Sequence, residues 1–276
     1  MPLFSRSAKW ILCGEHSVIR GGKAIAFPLH NFSSSVFFEK SEDFSIEDSH
    51  SKDTILTLLK RGCEFFGVPL KKISGRISVK SDIPIRSGLG SSAALCSNIA
   101  ELFQYCGCRG DLFESAKHLE SEFHKRSSGL DVAVVLENRP IIFENNKISE
   151  IFEPKFWPHM LLTCSGEKSS TSECIAVVSD FFLKDEKSAL DSDRQMSLAS
   201  DTCEEAFKKA DFNKLRDGIM LGNEVFRRWG LYTESMSRCV EKLLSAGAVA
   251  AKPIGSGLGG YIVSLWEEPF RNTSVS

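Results

Sequence analysis

The sequence predicts an α+β protein in two lobes, not a doubly wound parallel sheet. Strand-like segments dominate the first third of the chain, and helical periodicity dominates residues 184–246. Strands and helices do not alternate regularly, as they would in a parallel α/β sheet. Proline and charged residues cluster over 150–158, so we place a domain boundary there, between residues 1–153 and 154–276.

Elements in the first third follow from apolar spacing and turn signals. Apolar runs at 9–13 and 24–29 are separated by glycines and predict a hairpin-like pair of strands. A β-prone, serine-rich run at 32–38 predicts a third strand. Helical spacing predicts a helix over 53–66, and alternation of apolar and polar residues predicts a strand over 73–79.

Helices are more frequent farther along the chain. Residues 91–106 and 111–124 both have helical patterns, and the second helix opens on Asp111 as its N-cap. A mainly helical region is expected over 184–246, broken near residues 211 and 230. The remaining predicted strands are 139–143, 159–163, 249–251 and 261–266.

Composition excludes several classes of protein. The chain has 276 residues, is 42% hydrophobic and 25% charged, and has a net charge of −2. It has no basic run or stripe, so we expect no nucleic-acid partner. No apolar stretch approaches the roughly 20 residues that a membrane-spanning helix needs, so we expect no membrane partner.

Cysteine usage predicts a reducing compartment. The nine cysteines are scattered through apolar segments, only Cys106 and Cys108 lie close together, and no paired CxxC motifs suggest a zinc site. The N-terminus has no signal-peptide pattern. Free thiols in a cytoplasmic protein are therefore expected.

One glycine-rich loop, residues 84–94, has the pattern of a phosphate site. It follows a predicted strand and opens a predicted helix. Gly88 and Gly90 permit backbone conformations and close approach that a side chain would block. A helix N-terminus offers unpaired N–H groups and partial positive charge. Hydroxyls of Ser91 and Ser92 can reach a phosphate oxygen or Mg²⁺.

The spacing of this loop excludes two better-known phosphate motifs. No lysine follows the second glycine, as a Walker A loop requires, and Ala93 occupies the position of the third glycine of a dinucleotide fingerprint. Taken alone, an ordinary serine-capped helix explains the loop as well as a phosphate site does.

Three segments resemble, in order, the three motifs of the GHMP kinase superfamily (galactokinase, homoserine kinase, mevalonate kinase and phosphomevalonate kinase). They are SAKWILCGEHSV at 7–18, the glycine-rich loop at 84–94, and KPIGSGLGG at 252–260. The resemblance implies an ATP-dependent small-molecule kinase with a two-lobed GHMP kinase fold. Its N-terminal, ribosomal-protein-S5-like lobe (1–153) would bind nucleotide and carry catalytic residues, and its C-terminal lobe (154–276) would be a ferredoxin-like α/β domain.

Further segments resemble the mevalonate kinase family in particular. GGKAIA at 21–26 follows the first motif, HKRSSGLD at 124–131 resembles His-Gly-x-x-Ser-Gly-x-Asp, and a Ser-Gly…Ser-Thr segment spans 165–171. The Asp-Tyr-Asn stretch expected in galactokinases does not follow Glu15 and His16. The resemblance therefore implies mevalonate as the phosphate acceptor, with a sugar or phosphomevalonate as the alternative.

A non-catalytic ligand-binding sensor on the same fold is an alternative of another class. Such a protein would be free to lose its catalytic residues, yet Lys9, Glu120 and Asp131 are all present. Departures from the family pattern bear on acceptor specificity more than on the kinase assignment. They fall at Lys125, Val132, Ile254 and Leu258.

The resemblance also implies catalytic and metal-binding roles. Asp131 would orient the acceptor hydroxyl or take its proton, and Lys9 would lie beside it; a helix N-cap is the structural alternative for Asp131. Glu120 and Ser92 would bind Mg²⁺, with Glu122 as a rival carboxylate.

The remaining implied roles concern ATP and the acceptor. The nucleotide-binding residues would be Pro84, Gly88, Leu89, Gly90, Ser91, Ser92 and Ala93. The acceptor-binding residues would be Glu15, His16, Ser170, Thr171 and Gly257. Helix capping is the alternative for the hydroxyl residues, and a tight turn is the alternative for the third motif, which we expect to pack against the phosphate loop. The implied partner is a small molecule, and a homodimer is left open.

Overall fold

The structure of the protein, a computed structural model, describes residues 3–47, 51–123 and 127–270. Nine β-strands and eight α-helices occur in these ranges. The strands are β1 (Leu3–Cys13), β2 (Ala24–Lys40), β3 (Ser45–Ile46), β4 (Gly75–Ser81), β5 (Ile141–Glu144), β6 (Lys147–Ile151), β7 (His159–Cys164), β8 (Ala250–Pro253) and β9 (Tyr261–Trp266). The helices are α1 (Lys52–Phe66), α2 (Ser91–Tyr105), α3 (Leu112–Glu120), α4 (Leu130–Glu137), α5 (Thr171–Lys184), α6 (Glu186–Lys209), α7 (Phe212–Arg228) and α8 (Glu234–Ser245). The predicted α+β class is confirmed.

The chain divides into two compact units, each built from separated segments. Unit 1 consists of Met1–Lys9, Pro28–Pro84 and Leu89–Arg139. Unit 2 consists of Trp10–Phe27, Ile85–Gly88 and Pro140–Ser276. The domain boundary between residues 153 and 154 stays a prediction.

Unit 1 contains the helices α1 to α4 and the strands β3 and β4 of a six-stranded sheet. The C-terminal part of β2 pairs antiparallel with β4, and β3 pairs parallel with β4. Helix α2 is buried on most of its surface because its small residues let α1, α3 and α4 pack against it. In α1, Gly62 lies so close to Phe103 of α2 that an added Cβ would be 2.2 Å from the ring. This packing fixes α2, and with it the helix end that follows the glycine-rich loop.

Unit 2 contains the strands β5 and β6 of the six-stranded sheet and a separate three-stranded sheet. The N-terminal part of β2 pairs antiparallel with β5, which pairs antiparallel with β6. A second, fully antiparallel sheet has the order β7-β9-β8. Helix α8 covers this sheet through an apolar cluster that includes Met236, Val240, Ile262 and Trp266. Helix α7 packs on both α6 and β8.

Several elements differ from the sequence prediction. The strands predicted at 24–29 and 32–38 form one continuous strand, β2, because the polar residues between them include no glycine to turn the chain and lie half-buried or exposed. Helix α3 does begin after Asp111, whose carboxylate accepts a hydrogen bond from the Glu114 N–H, but it ends at Glu120. Helices α4 and α5 were not predicted. None of the helices in the described ranges combines the length and apolar content that crossing a bilayer requires.

Candidate active site

A lysine–aspartate ion pair lies beside the glycine-rich loop in unit 1. Lys9 of β1 is 2% exposed, and its Nζ is 2.7 Å from Oδ1 of Asp131, whose side chain is 30% exposed. The backbone N–H of Lys9 donates to the carbonyl of Leu89 at 3.0 Å. Asp131 lies in the first turn of α4, and the cap position is occupied by Gly129, so Asp131 is not the N-cap. The structure thus joins both predicted catalytic residues to the loop.

Gly90 is the point where the loop meets Lys9. Its φ is +80°, and a Cβ at this position would lie 2.7 Å from Cγ of Lys9. Only glycine avoids both the backbone strain and this clash. Gly90 is also the N-cap of α2, where the first turn leaves backbone N–H groups without intrahelical partners. Ser91 and Ser92 lie half-buried in that turn. This is the arrangement that suits an anion.

The other predicted loop residues differ in burial. Leu89 and Ala93 are buried, and Pro84 is half-buried. Within unit 2, the third glycine segment contacts the loop, as expected: Gly88 and Gly255 both have positive φ, and a Cβ on Gly255 would lie 2.9 Å from Cα of Gly88.

Glu120 is a buried carboxylate at the end of α3. Its side chain is 1% exposed, and Oε2 accepts a hydrogen bond from the Ser127 hydroxyl at 2.7 Å. Oε1 is buried with no hydrogen-bond partner among the described residues. Burial, and then the charge of Asp131, raise the pKa of Glu120 to about 7. By contrast, Glu122 is 39% exposed and pairs with Arg61, so Glu120 is the better metal ligand of the two.

The surroundings of Glu120 fit a magnesium ion. Helix α3, which ends at Glu120, packs against α2, whose first turn contains Ser92. Among the described residues no group of three His, Cys, Asp or Glu side chains could hold a metal. Mg²⁺ needs only one or two protein oxygens together with phosphates and water. A cation here would also satisfy the unpaired Oε1.

In unit 2, Glu15 forms a buried ion pair. Its Oε1 accepts a hydrogen bond from Nζ of Lys252 at 2.8 Å, and both side chains are almost fully buried. Lys252 opens the third motif but has no role in the sequence prediction. The only signal was a lysine inside an otherwise apolar strand, which does not identify its partner.

His16 is a neutral, buried histidine. Its Nε2 donates to the carbonyl of Ser256 at 2.8 Å, so this nitrogen carries the hydrogen. Burial is the main cause that lowers the pKa of His16 to about 4. The ring packs edge-on against Trp229, with centroids 5.4 Å apart. Nδ1 is then left as a hydrogen-bond acceptor.

Ser256 contacts two of the five predicted acceptor residues, His16 and Thr171, although the sequence did not single it out. Besides the bond from His16 to its carbonyl, its hydroxyl lies 3.5 Å from the Thr171 hydroxyl and 2.8 Å from that of Ser169. Ser169, also missed, donates to the carbonyl of Gly257 at 2.6 Å.

Local contacts account for the other two predicted acceptor residues, Ser170 and Gly257. The Ser170 hydroxyl lies 3.1 Å from that of Ser172 at the start of α5. Gly257 has a φ of +93°, and a Cβ there would lie 2.7 Å from Cβ of Leu231, so close packing accounts for this glycine. His124, Lys125 and Arg126, which carried part of the family resemblance, lie outside the described residues.

Comparison with known proteins gives concordant matches. Residues 53–138 match the family model described as the N-terminal domain of GHMP kinases. Mevalonate kinase from Archaeoglobus fulgidus is 26% identical over 275 residues, which span 95% of this chain and 92% of that protein. The crystal structure of L. major mevalonate kinase in complex with R-mevalonate superposes with a TM-score of 0.76 at 19% identity, over 97% of this chain and 88% of that one. Mevalonate kinase from Methanococcus jannaschii also gives a TM-score of 0.76 at 19% identity, over 96% and 90% of the two chains.

Proposed function

We propose that the chain is a member of the GHMP kinase superfamily, and that it is an ATP-dependent kinase that transfers the γ-phosphate to a hydroxyl group of mevalonate. The observation that carries this proposal is the ion pair of Lys9 and Asp131 beside Gly90. It joins a candidate base to a helix N-terminus suited to phosphates. The curated relatives over nearly the whole chain are named mevalonate kinases, which supports mevalonate as the acceptor.

Phosphoryl transfer requires positioning and charge stabilisation more than covalent chemistry. The Asp131 side chain is 30% exposed to solvent, so its carboxylate can accept a hydrogen bond from the acceptor hydroxyl and take its proton. Lys9 fixes one oxygen of that carboxylate and leaves the other for the acceptor. Its ammonium also adds positive charge next to the loop.

ATP and Mg²⁺ would be bound by residues of the loop and its surroundings. The first turn of α2 would donate backbone N–H groups to phosphate oxygens, and Glu120 with Ser92 would hold the ion. Mg²⁺ bound there would neutralise negative charge on the phosphates. The buried, unpaired Oε1 of Glu120 supports this assignment.

We assign acceptor binding to Glu15, His16, Ser170, Thr171 and Gly257. The neutral imidazole of His16 offers an acceptor nitrogen, and the hydroxyl of Thr171 can donate to a carboxylate. A small hydroxy acid presents a hydroxyl that can donate to His16 and a carboxylate that can accept from Thr171.

We also propose a cytoplasmic location, which the nine free cysteines support. Light scattering would test the homodimer.

The proposed reaction is tested by measuring ADP release from ATP and Mg²⁺ with a panel of acceptors: mevalonate, phosphomevalonate, homoserine, galactose and heptoses. We expect mevalonate to give the highest kcat/KM. Turnover of phosphomevalonate or a sugar without turnover of mevalonate would overturn the acceptor assignment. Binding of ATP and mevalonate without ADP release from any acceptor would identify a non-catalytic sensor.

A further inference from the structure

Lys252 is a buried cation whose charged group reaches three partners. Its Nζ donates to the carbonyl of Leu12 at 2.8 Å and to Oε1 of Glu15 at 2.8 Å, and it lies 4.8 Å from the centroid of the Phe226 ring. The residue has no exposed surface. Burying an ammonium group is costly unless its partners are well placed. Its two hydrogen-bond acceptors lie at the end of β1 and in the turn that follows it, and Phe226 lies on α7.

Packing around the stem of Lys252 fixes where its ammonium lies. In α7, Gly222 faces the side chain, and a Cβ at that position would lie 3.2 Å from Cε of Lys252. Because the stem is enclosed, the Nζ position is set by the packing of α7 on β8, not by solvent or a flexible rotamer.

A second bond ties the same turn to the segment that begins with Lys252. Nε2 of His16 donates to the carbonyl of Ser256, four residues after Lys252. His16 has a φ of +59°, a conformation that is uncommon for residues other than glycine. The two neighbouring residues Glu15 and His16 are thus each held by the 252–256 segment, one through a side chain and one through the backbone.

We propose that Lys252 is a positioning residue for the phosphate acceptor: it orients the Glu15 carboxylate and holds the turn that presents Glu15 and His16. This inference rests on the proposed function, in which both residues bind the acceptor. Lys252 itself is too buried to touch a substrate. Its loss would therefore impair use of the acceptor and leave use of ATP unchanged.

The first test compares Lys252→Met with Lys23→Met. Lys23 is also a lysine of unit 2 that pairs with two carboxylates, Asp201 and Glu204, but it is partly exposed and its partners lie on α6. For Lys252→Met we expect kcat/KM for mevalonate to fall about 100-fold, because small displacements of binding groups have effects of this size. The KM for ATP should match the wild type. Lys23→Met should match the wild type for both substrates.

A readout without turnover is the rise in melting temperature that mevalonate causes. We expect this rise in the wild type and in Lys23→Met, and its loss in Lys252→Met. Because Lys252→Met removes the ammonium that faces the buried Glu15 carboxylate, the double variant Lys252→Met/Glu15→Gln removes both charges together. We expect it to fold and still to use mevalonate poorly.

Normal kcat/KM for mevalonate in folded Lys252→Met would overturn the positioning role. This holds even if the variant gives a lower yield of folded protein. Normal mevalonate use by the double variant, or failure of both variants to fold, would assign Lys252 to stability alone. Failure of the proposed function is visible separately, in the wild type. If the wild type turns over another acceptor, the same comparison applies to that acceptor, and a wild type that neither uses nor binds any acceptor overturns both proposals.

Discussion

Two lysine–carboxylate pairs, one in each unit, have nearly the same distance between nitrogen and oxygen, but their acidic side chains differ in exposure. Lys9 and Asp131 are 2.7 Å apart, and Lys252 and Glu15 are 2.8 Å apart. In both pairs the lysine is buried. The side chain of Asp131 is 30% exposed, whereas that of Glu15 is 2% exposed.

The difference in exposure separates a pair whose carboxylate is open to solvent from a pair that the protein encloses. An exposed carboxylate oxygen can exchange water for an acceptor hydroxyl, so the first pair is suited to proton transfer. An enclosed pair keeps its geometry because moving either charge out of place leaves the other one buried and uncompensated. A lysine–carboxylate pair thus suits two different proposed roles, according to its access to solvent.

The largest expected effect comes from Asp131→Asn, which breaks the pair of Lys9 and Asp131. We call this the open pair, because its carboxylate side chain is partly exposed. This substitution keeps the shape of the side chain but removes the base, so kcat should fall about 1,000-fold, within the usual range for general-base catalysis. ATP binding, measured by calorimetry, should be retained. Asp201→Asn is a matched control, since Asp201 also pairs with a lysine but lies on α6. Unchanged turnover in Asp131→Asn would remove Asp131 from the mechanism.

Acid should lower the free energy of unfolding through His16, which lies next to Glu15 of the enclosed pair. Its pKa is about 4 in the folded protein and about 6.5 when exposed. Between these values the unfolded chain binds a proton that the folded chain does not. The free energy of unfolding should therefore fall as pH drops from about 6.5 to about 4, by about 3 kcal/mol in total.

Urea unfolding at several pH values measures this effect, with His16→Gln as the reference. The difference in pH dependence between the wild type and the variant isolates His16 from other titrating groups. Above pH 6.5 the imidazole is neutral in both states and contributes no slope. Equal slopes for the two proteins between pH 6.5 and pH 4 would show that His16 titrates normally in the fold.

The dependence of activity on Mg²⁺ distinguishes the buried Glu120 from the more exposed Glu122. Glu120→Gln should raise the Mg²⁺ concentration for half-maximal activity about tenfold, because a carboxylate ligand becomes a neutral amide. Glu122→Gln should leave it unchanged, since Glu122 pairs with Arg61 at the surface. Kinetics at varied Mg²⁺ and fixed ATP would measure both. An equal response of the two variants would contradict the assignment of Glu120.

The features that the sequence predicted are those carried by local patterns. The glycine-rich loop, the helix that follows it and the Asp111 cap all depend on residues within a few positions of one another. The pair of Lys252 and Glu15 joins residues 237 positions apart, and neither has a local pattern that indicates its partner. The sequence predicts two strands, over 24–29 and 32–38, where the structure has the single strand β2, because a strand with a solvent-facing side tolerates the polar residues between them.

The smallest expected effect separates backbone strain from contact with the open pair. Gly67 and Gly90 both have positive φ, but an added Cβ at Gly67 meets nothing within 4 Å, whereas at Gly90 it meets the stem of Lys9. Gly67→Ala should therefore lower the free energy of unfolding by about 1 kcal/mol from strain alone, with kcat unchanged. Gly90→Ala should cost about 1 kcal/mol more and also lower kcat, because Lys9 must move away from Asp131. Urea unfolding and steady-state kinetics on the two variants make the comparison. Equal kcat in both would mean that Lys9 can shift without affecting catalysis, and it would weaken the argument that the geometry of the open pair matters.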